Sequence, residues 1–348
     1  MIKLLTLLVI VFALITIWRI IRVLELVRDL RGEEEEEITD KDNKLNGLLS
    51  MIFLFVGFAG MIYFTIDAKK YLLPVAASKH GVLTDEYLNL NFILIIIVFF
   101  ITQTLLFYYA WKYSYKKNVK AFFWPDNHKL EFIWTVVPAV VLMGLIVYGL
   151  KLWINITAPA PQEAMVIEVY GKQFDWTARY SGSDNKLGHS NFRLITDDNI
   201  LGVDVNDSAA ADDKIARELY LPVGGKIVFK FHSRDVIHSA YFPHLRAQMN
   251  TVPGMTTEFF LEPTITTDSM RLITGNPKFD YILLCNKICG VAHYNMKMKV
   301  VVTTPEDFKK WYKEQKYVFA KPEAASATSD TLQTALLPES SATLVAAK

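Results

Sequence analysis

Long apolar runs fill the first 155 or so residues of the chain, and short alternating segments follow them. The runs at about Leu4–Trp18, Leu48–Ile66, Leu90–Trp111 and Phe132–Ile154 each approach the roughly 20 residues a helix needs to cross a hydrocarbon core. The first could be read as a signal peptide opened by Lys3. No small-x-small cleavage site follows, and the apolar pattern continues through Ile20, Ile21, Val23, Leu24 and Leu26, so a retained helix is expected. Arg19, Arg22, Arg28 and Arg31 follow the first run and Lys112, Lys116, Lys117 and Lys120 the third. Basic residues mark cytoplasmic segments, so both chain ends are expected outside. Acids weigh little in topology, and Glu33–Glu37 reads as a solvated linker.

Between Met165 and Val302 the pattern shortens to Val166–Tyr170, Ile227–Phe231, Tyr281–Leu284 and Met298–Val302, punctuated by turns at Gly224-Gly225 and Pro253-Gly254. This is the signature of an all-β sandwich or barrel. Thr304-Pro305-Glu306-Asp307 reads as a capped helix start, and a short amphipathic helix to about Gln315 should close the domain. The stretch Lys321–Lys348 is rich in Ala, Ser, Thr and Pro without periodicity and reads as a mobile tail. The expected division is a four-helix membrane anchor over 1–155, a β domain over 156–318 and a flexible tail over 319–348.

Composition narrows the partners. A 52% hydrophobic share in 348 residues points to lipid, and a net charge of +1 gives no cationic face for nucleic acid. The two cysteines, Cys285 and Cys289, support neither a disulfide framework nor a Cys-x-x-Cys-His haem attachment. With His293 and Met296 they place two thiols, an imidazole and a thioether within one short segment, a soft donor set suited to copper, zinc or iron–sulfur. A mononuclear blue-copper loop would lack the second cysteine. A two-Cys, two-His zinc site leaves Met296 without a role, and a Cys285–Cys289 disulfide would close a very small loop. A second histidine must come from elsewhere. His80 and His128 flank membrane runs and His189 lies in a polar insertion, which leaves His232, His238 and His244, and spacing alone does not separate these three.

Ser233-Arg234-Asp235-Val236-Ile237-His238-Ser239, then Pro253-Gly254, then Cys285-x-x-x-Cys289-Gly290-x-x-His293-x-x-Met296 resemble the copper-binding domain of cytochrome oxidase subunit II. Glu131-x-x-Trp134-Thr135-Val136-Val137-Pro138 is similar to the start of that family's second membrane helix, and Gly171–Trp176 to its aromatic segment; the resemblance covers about residues 90 to 315. It implies a cupredoxin-like fold with a dinuclear copper centre, called CuA, ligated by His238, Cys285, the backbone carbonyl of Lys287, Cys289, His293 and Met296. It also implies electrons taken from a c-type cytochrome on another chain and passed to the haem groups of oxidase subunit I, where dioxygen is reduced with proton pumping. The implied place is the bacterial inner membrane, with the copper domain on the periplasmic side. Where the family has tryptophan for electron arrival this chain has Phe174, so Phe174 and Trp176 are the candidates. Glu131 matches a glutamate near a proton-channel mouth, although an acid at a helix start also suits the dipole. Lys287 stands where the family's glutamate reaches a magnesium shared with subunit I, a role an ammonium cannot fill. The two additional N-terminal spans are expected to dock a neighbouring complex, and the cytochrome donor is expected within a respiratory supercomplex. A quinol oxidase subunit would lack the copper ligands. The Glu131–Pro138 motif favours the oxidase over a nitric or nitrous oxide reductase, and copper binding separates all of these from a plain membrane scaffold.

Overall fold

The computed structural model describes residues 2–30, 39–116 and 118–319, with side chains from residue 8 onward. The acidic run Glu33–Glu37, Arg31, Lys117 and the tail Lys321–Lys348 lie outside the described residues. Four long helices come first: α1 (Ile2–Leu30), α2 (Asp40–Ala68), α3 (Lys79–Lys112) and α4 (His128–Ile156). Among the described residues α2, α3 and α4 are long and apolar enough to cross a membrane. The expected first span falls in α1, and its opening side chains are outside the described set. Thr39 starts α2 with a reciprocal capping box, its hydroxyl accepting from the Asp42 N–H and the Asp42 carboxylate from the Thr39 N–H. Phe53 and Ile93 lie largely exposed on these helices, as lipid-facing side chains do.

The strands are β1 (Met165–Lys172), β2 (Asp175–Tyr180), β3 (Lys214–Ala216), β4 (Leu219–Pro222), β5 (Ile227–Ser233), β6 (His238–Phe242), β7 (Ala247–Thr251), β8 (Thr257–Leu261), β9 (Tyr281–Cys285), β10 (Lys297–Thr303) and β11 (Lys316–Tyr317). Helix α5 (Thr267–Thr274) lies between β8 and β9, and α6 (Pro305–Glu314) follows β10. One sheet runs β11-β3-β2-β1-β5-β8 and the other β4-β10-β9-β6-β7. Ile167, Val169, Trp176, Phe229, Phe231, Leu283 and Val300 alternate inward to fill the core. Each such side chain contributes on the order of 1.5–3 kcal/mol when fully buried. The expected cap of α6 is present: Thr304 accepts from the Asp307 N–H at 3.2 Å, with Pro305 at the first helical position. Phe308 and Tyr312 bury against Tyr180, and Trp311 stacks on Tyr220 at 4.2 Å.

Residues 70–95 and α4 belong to the same compact unit as the sandwich, whereas residues 1–69 and 96–126 form another. The segment ahead of α3 is tied into the domain. Ala77 is fully buried, its N–H donating to the His244 carbonyl at 2.7 Å and its carbonyl accepting from the Thr264 N–H at 2.9 Å. Arg246 clamps the start of α3 through Asp85 at 2.9 and 2.8 Å and also donates to the Pro74 carbonyl. Tyr87 of α3 reaches the Leu145 carbonyl of α4 at 3.0 Å, where a Cβ in place of the Gly149 hydrogen would collide with the phenol.

The outer face of β1 and β2 is covered rather than solvated. Residues 181–213, which include the polar insertion around His189, fold over it with Leu201, Val203 and Ala210 as a second small core. Beneath lies a buried ionic triad that local pattern did not suggest. Arg179 donates to Glu168 at 2.6 Å, to Asp213 at 3.1 Å and to the Gly188 carbonyl at 2.9 Å. One guanidinium serves two carboxylates, and burial pushes the Asp213 carboxyl up to about 7 against the pull of Arg179. The folded chain therefore holds this proton more tightly than the unfolded chain does. The stability linked to it is full below the ordinary aspartate range and is lost as pH rises through about 7. Asp213→Asn should flatten the fall in thermal unfolding temperature between about pH 5 and pH 8; an unchanged pH profile in the variant would exclude Asp213 as its source.

Candidate metal centre

Three strands of one sheet build the site. β9 pairs with β10 so that Lys297 lies opposite Leu284, and the Cys285 N–H donates to the Met296 carbonyl at 3.0 Å, closing the 285–296 loop at its base. β6 pairs with β9 on the other side with Ala240 opposite Cys285, and the Asn286 N–H reaches the Ser239 carbonyl at 2.9 Å. His238, the first residue of β6, is thereby brought beside the loop from 47 residues away in the chain.

The donor atoms converge. The Cys285 and Cys289 sulfurs are 3.8 Å apart, with His238 Nδ1 at 3.8 Å from Cys285 Sγ and His293 Nδ1 at 3.6 Å from Cys289 Sγ. Met296 Sδ lies 3.8 Å from Cys289 Sγ, and the Lys287 carbonyl accepts from the Cys285 thiol at 3.3 Å. Ligands held about 2.0–2.3 Å from a first-row metal in roughly tetrahedral array stand roughly 3.4–3.8 Å from one another, so these separations suit metal between them. His238, Cys285 and Cys289 form a metal-competent group, and both cysteines are free and buried. Burial, and then the adjoining Cys285, push the Cys289 thiol up to about 11, so metal must displace protons to bind.

Of the three histidines that spacing left open, the fold brings His238 to the cluster. His232 stacks on Tyr170 and faces Glu168 at 3.4 Å, and His244 packs edge-on to Phe279 and Tyr281. His238 Nε2 meets Asp235 Oδ1 at 2.8 Å, which leaves Nδ1 to present its lone pair to the sulfurs. Burial opposes the Asp235 charge, but the Gln173 N–H, His238 and the Val236 N–H together hold its carboxyl below the ordinary range. Gln173 also donates from Nε2 to the Cys289 carbonyl at 2.6 Å. Neither Asp235 nor Gln173 stood out as functional in the sequence. The signal available for Asp235 was an acid three residues before His238, and for Gln173 its place in the Gly171–Trp176 segment.

The aromatic candidates separate by depth. Trp176 is fully buried with its ring 5.9 Å from that of His238, and Gly171 has no room for a Cβ between the two. Phe174 is half-buried at the β1–β2 turn and packs over Gly290 of the metal loop. Glu131 turns back on its own helix start, meeting His128 at 3.2 Å and the Asn127 N–H at 3.4 Å. Lys287 is exposed.

A two-sheet sandwich with two thiols, two imidazoles and a thioether at one end, carried behind membrane-length helices, defines a membrane-anchored cupredoxin-like metal domain. The chain belongs to the cytochrome c oxidase subunit II family: the profile described as its periplasmic domain matches residues 165–304 and that of its transmembrane domain residues 67–152. The match begins at 67 rather than the 90 or so expected from motifs, so it takes in all of α3. A protein named alternative cytochrome c oxidase subunit 2, from Bradyrhizobium diazoefficiens, is 31% identical over 271 residues, 77% of this chain and 92% of the relative. Cytochrome c oxidase subunit 2 of Thermostichus vulcanus is 24% identical over 289 residues, 75% of this chain and 84% of its own length. The crystal structure of the periplasmic domain of subunit II of cytochrome oxidase from Bradyrhizobium japonicum is similar at 20% identity and a TM-score of 0.31, over 47% of this chain and all of that one.

Gly290 tests how tightly the loop is braced. Its φ of +140° disfavours any side chain, and a Cβ there would lie 2.8 Å from the Phe174 ring and 2.9 Å from the Gln173 amide. Gly290→Ala should destabilise the loop by about 1–3 kcal/mol and weaken metal retention in a chelator competition; retention equal to wild type would show that the brace is dispensable.

Proposed function

We propose that this chain is the electron-receiving subunit of a haem-copper cytochrome c oxidase and holds a dinuclear copper centre. Cys285, Cys289, His238, His293, Met296 and the Lys287 carbonyl would hold the pair, the two thiolates as its strongest ligands and the thioether and carbonyl as its weaker ones. The observation that carries this reading is the pair of sulfurs 3.8 Å apart with an imidazole nitrogen beside each of them. A mononuclear site would not use both thiols in this way, and a zinc site would not use Met296. Bound there, a copper pair supplies one-electron redox chemistry with the odd electron shared between the two ions.

The chain's own residues do the rest. Asp235 keeps His238 in one tautomer, Gln173 pins the loop to the β1–β2 turn, and the buried sulfurs stay shielded from water. Rigid ligands leave little to rearrange when the charge changes. Electrons come from a c-type cytochrome on another chain through the Phe174 and Trp176 region, and leave for the haem groups of subunit I, where dioxygen reduction drives proton pumping. The domain faces the periplasm of a bacterial inner membrane, with Glu131 at the opposite end of α4. At Lys287 this chain offers no carboxylate, so a magnesium shared with subunit I would need its ligands from elsewhere. The family match starts at residue 67 and leaves α1 and nearly all of α2 outside it, which supports a docking role for them towards a neighbouring complex.

Metal analysis of the purified full chain should find two coppers and a purple, mixed-valence signal in paramagnetic resonance. One copper with a blue band, or zinc, would refute the centre. Cys285→Ser and Cys289→Ser should each abolish the signal, whereas Met296→Leu should retain copper and shift its potential. Copper loading should also release protons, read as acidification of a weakly buffered solution, because the Cys289 thiol is protonated at neutral pH without metal.

A further inference from the structure

We propose that the end of the sandwich around the metal loop is a docking surface for a donor protein whose contact face is acidic, with an apolar patch at its centre. The proposal rests on the electron-receiving role above and adds the charge of the partner. Ile288, Val291 and Tyr294 stand on the loop itself at 88%, 92% and 87% exposure, and Val236 and Ile237 extend the patch along the β5–β6 connection. Large apolar side chains held this far out beside a redox centre are the material of a contact surface.

Cations flank the residues that frame that patch. Lys172 adjoins Gln173, which bonds the Cys289 carbonyl; Arg234 adjoins Asp235, which orients His238; Lys297 adjoins Met296. Among the described residues none of these three makes an ion pair. The nearby acids are already engaged. The Asp235 carboxylate accepts from Gln173 and Val236 and meets His238, and Asp175 pairs with Arg217 at 2.5 Å. Amide donors leave the Asp235 charge in place, but Lys172, Arg234, Lys297 and, from the loop itself, Lys287 outnumber that one carboxylate, so the local balance is positive. A partner with a lysine-rich contact face is repelled during its approach, and one with carboxylates around an apolar centre is steered in.

The test uses the complete oxidase and two probes of opposite charge: a soluble c-type cytochrome with a lysine-rich haem edge, and the same protein with its lysines succinylated. The second-order rate of copper reduction is followed by stopped flow across ionic strengths from about 0.01 to 0.3 M. The succinylated form should be about tenfold faster at low salt and lose that advantage as salt is added, while the unmodified form should speed up. Lys172→Glu combined with Lys297→Glu should invert the order, copper content and reduction by dithionite being checked to show the site intact. The wild-type salt series alone decides the matter if the variant fails to assemble. An unmodified probe that is faster at low salt, or rates indifferent to salt in both forms, would overturn the acidic-partner proposal and leave the electron-receiving role standing. If neither probe reduces a centre that dithionite does reduce, the electron-receiving role fails and this proposal with it.

Discussion

One hydrogen-bonded ladder, β6 beside β9 beside β10, is what the metal site depends on. Backbone N–H and carbonyl groups that leave water must find partners, and here the partners set the geometry of the donors. The Cys285 N–H closes on the Met296 carbonyl, and the Asn286 N–H closes on Ser239. Once these bonds form, two thiols and a thioether from one loop and an imidazole from a distant strand have little freedom left. The sheet's own hydrogen bonds set the spacing of the donors, and ligands held this rigidly have little to rearrange on electron transfer.

A second constraint comes from the other sheet. The β1–β2 turn reaches across the sandwich, where the Gln173 backbone N–H holds Asp235 and its side-chain amide holds the Cys289 carbonyl. This one residue fastens both the histidine's carboxylate and the metal loop, and the close approach of Phe174 to Gly290 seals the contact. Behind the turn, the same strands bury Glu168 and Arg179 under the 181–213 insertion. An ionic core of this kind is costly to break because each partner would be left charged and dry, so the insertion that looks like a loose polar excursion is locked to the sheet that supports the site.

The docking face has a different logic. Lys172, Arg234 and Lys297 make no contact with the donors' coordinating atoms; they matter through the field they share around an exposed apolar patch. Their positions are set by the same ladder and turn, since each adjoins a residue that the site has fixed in place. The architecture that rigidifies the centre thus also fixes the backbone positions from which these cations project.

What the sequence by itself determined was whatever depends on neighbours in the chain. The membrane-length helices follow from run length, the strands at 166–170, 227–231, 281–284 and 298–302 from alternation, the α6 start from Thr304, Pro305 and Asp307, and the soft donors from the Cys285–Met296 spacing. The identity of the second histidine was not in the spacing: three candidates remained until family likeness chose one, and the fold placed that one 3.8 Å from Cys285. Gln173 and Cys289 are 116 residues apart and Arg179 and Asp213 are 34 apart, so no window of local pattern could pair them. Whether Trp176 or Phe174 reaches the surface likewise depends on what packs above each, as does the cover over β1; α5, by contrast, carried local signals in its Thr266 cap and Gly275 stop. Propensity and periodicity act over a turn or two of chain, whereas the partners of a buried polar group are chosen by which strands become neighbours, and that only tertiary structure decides.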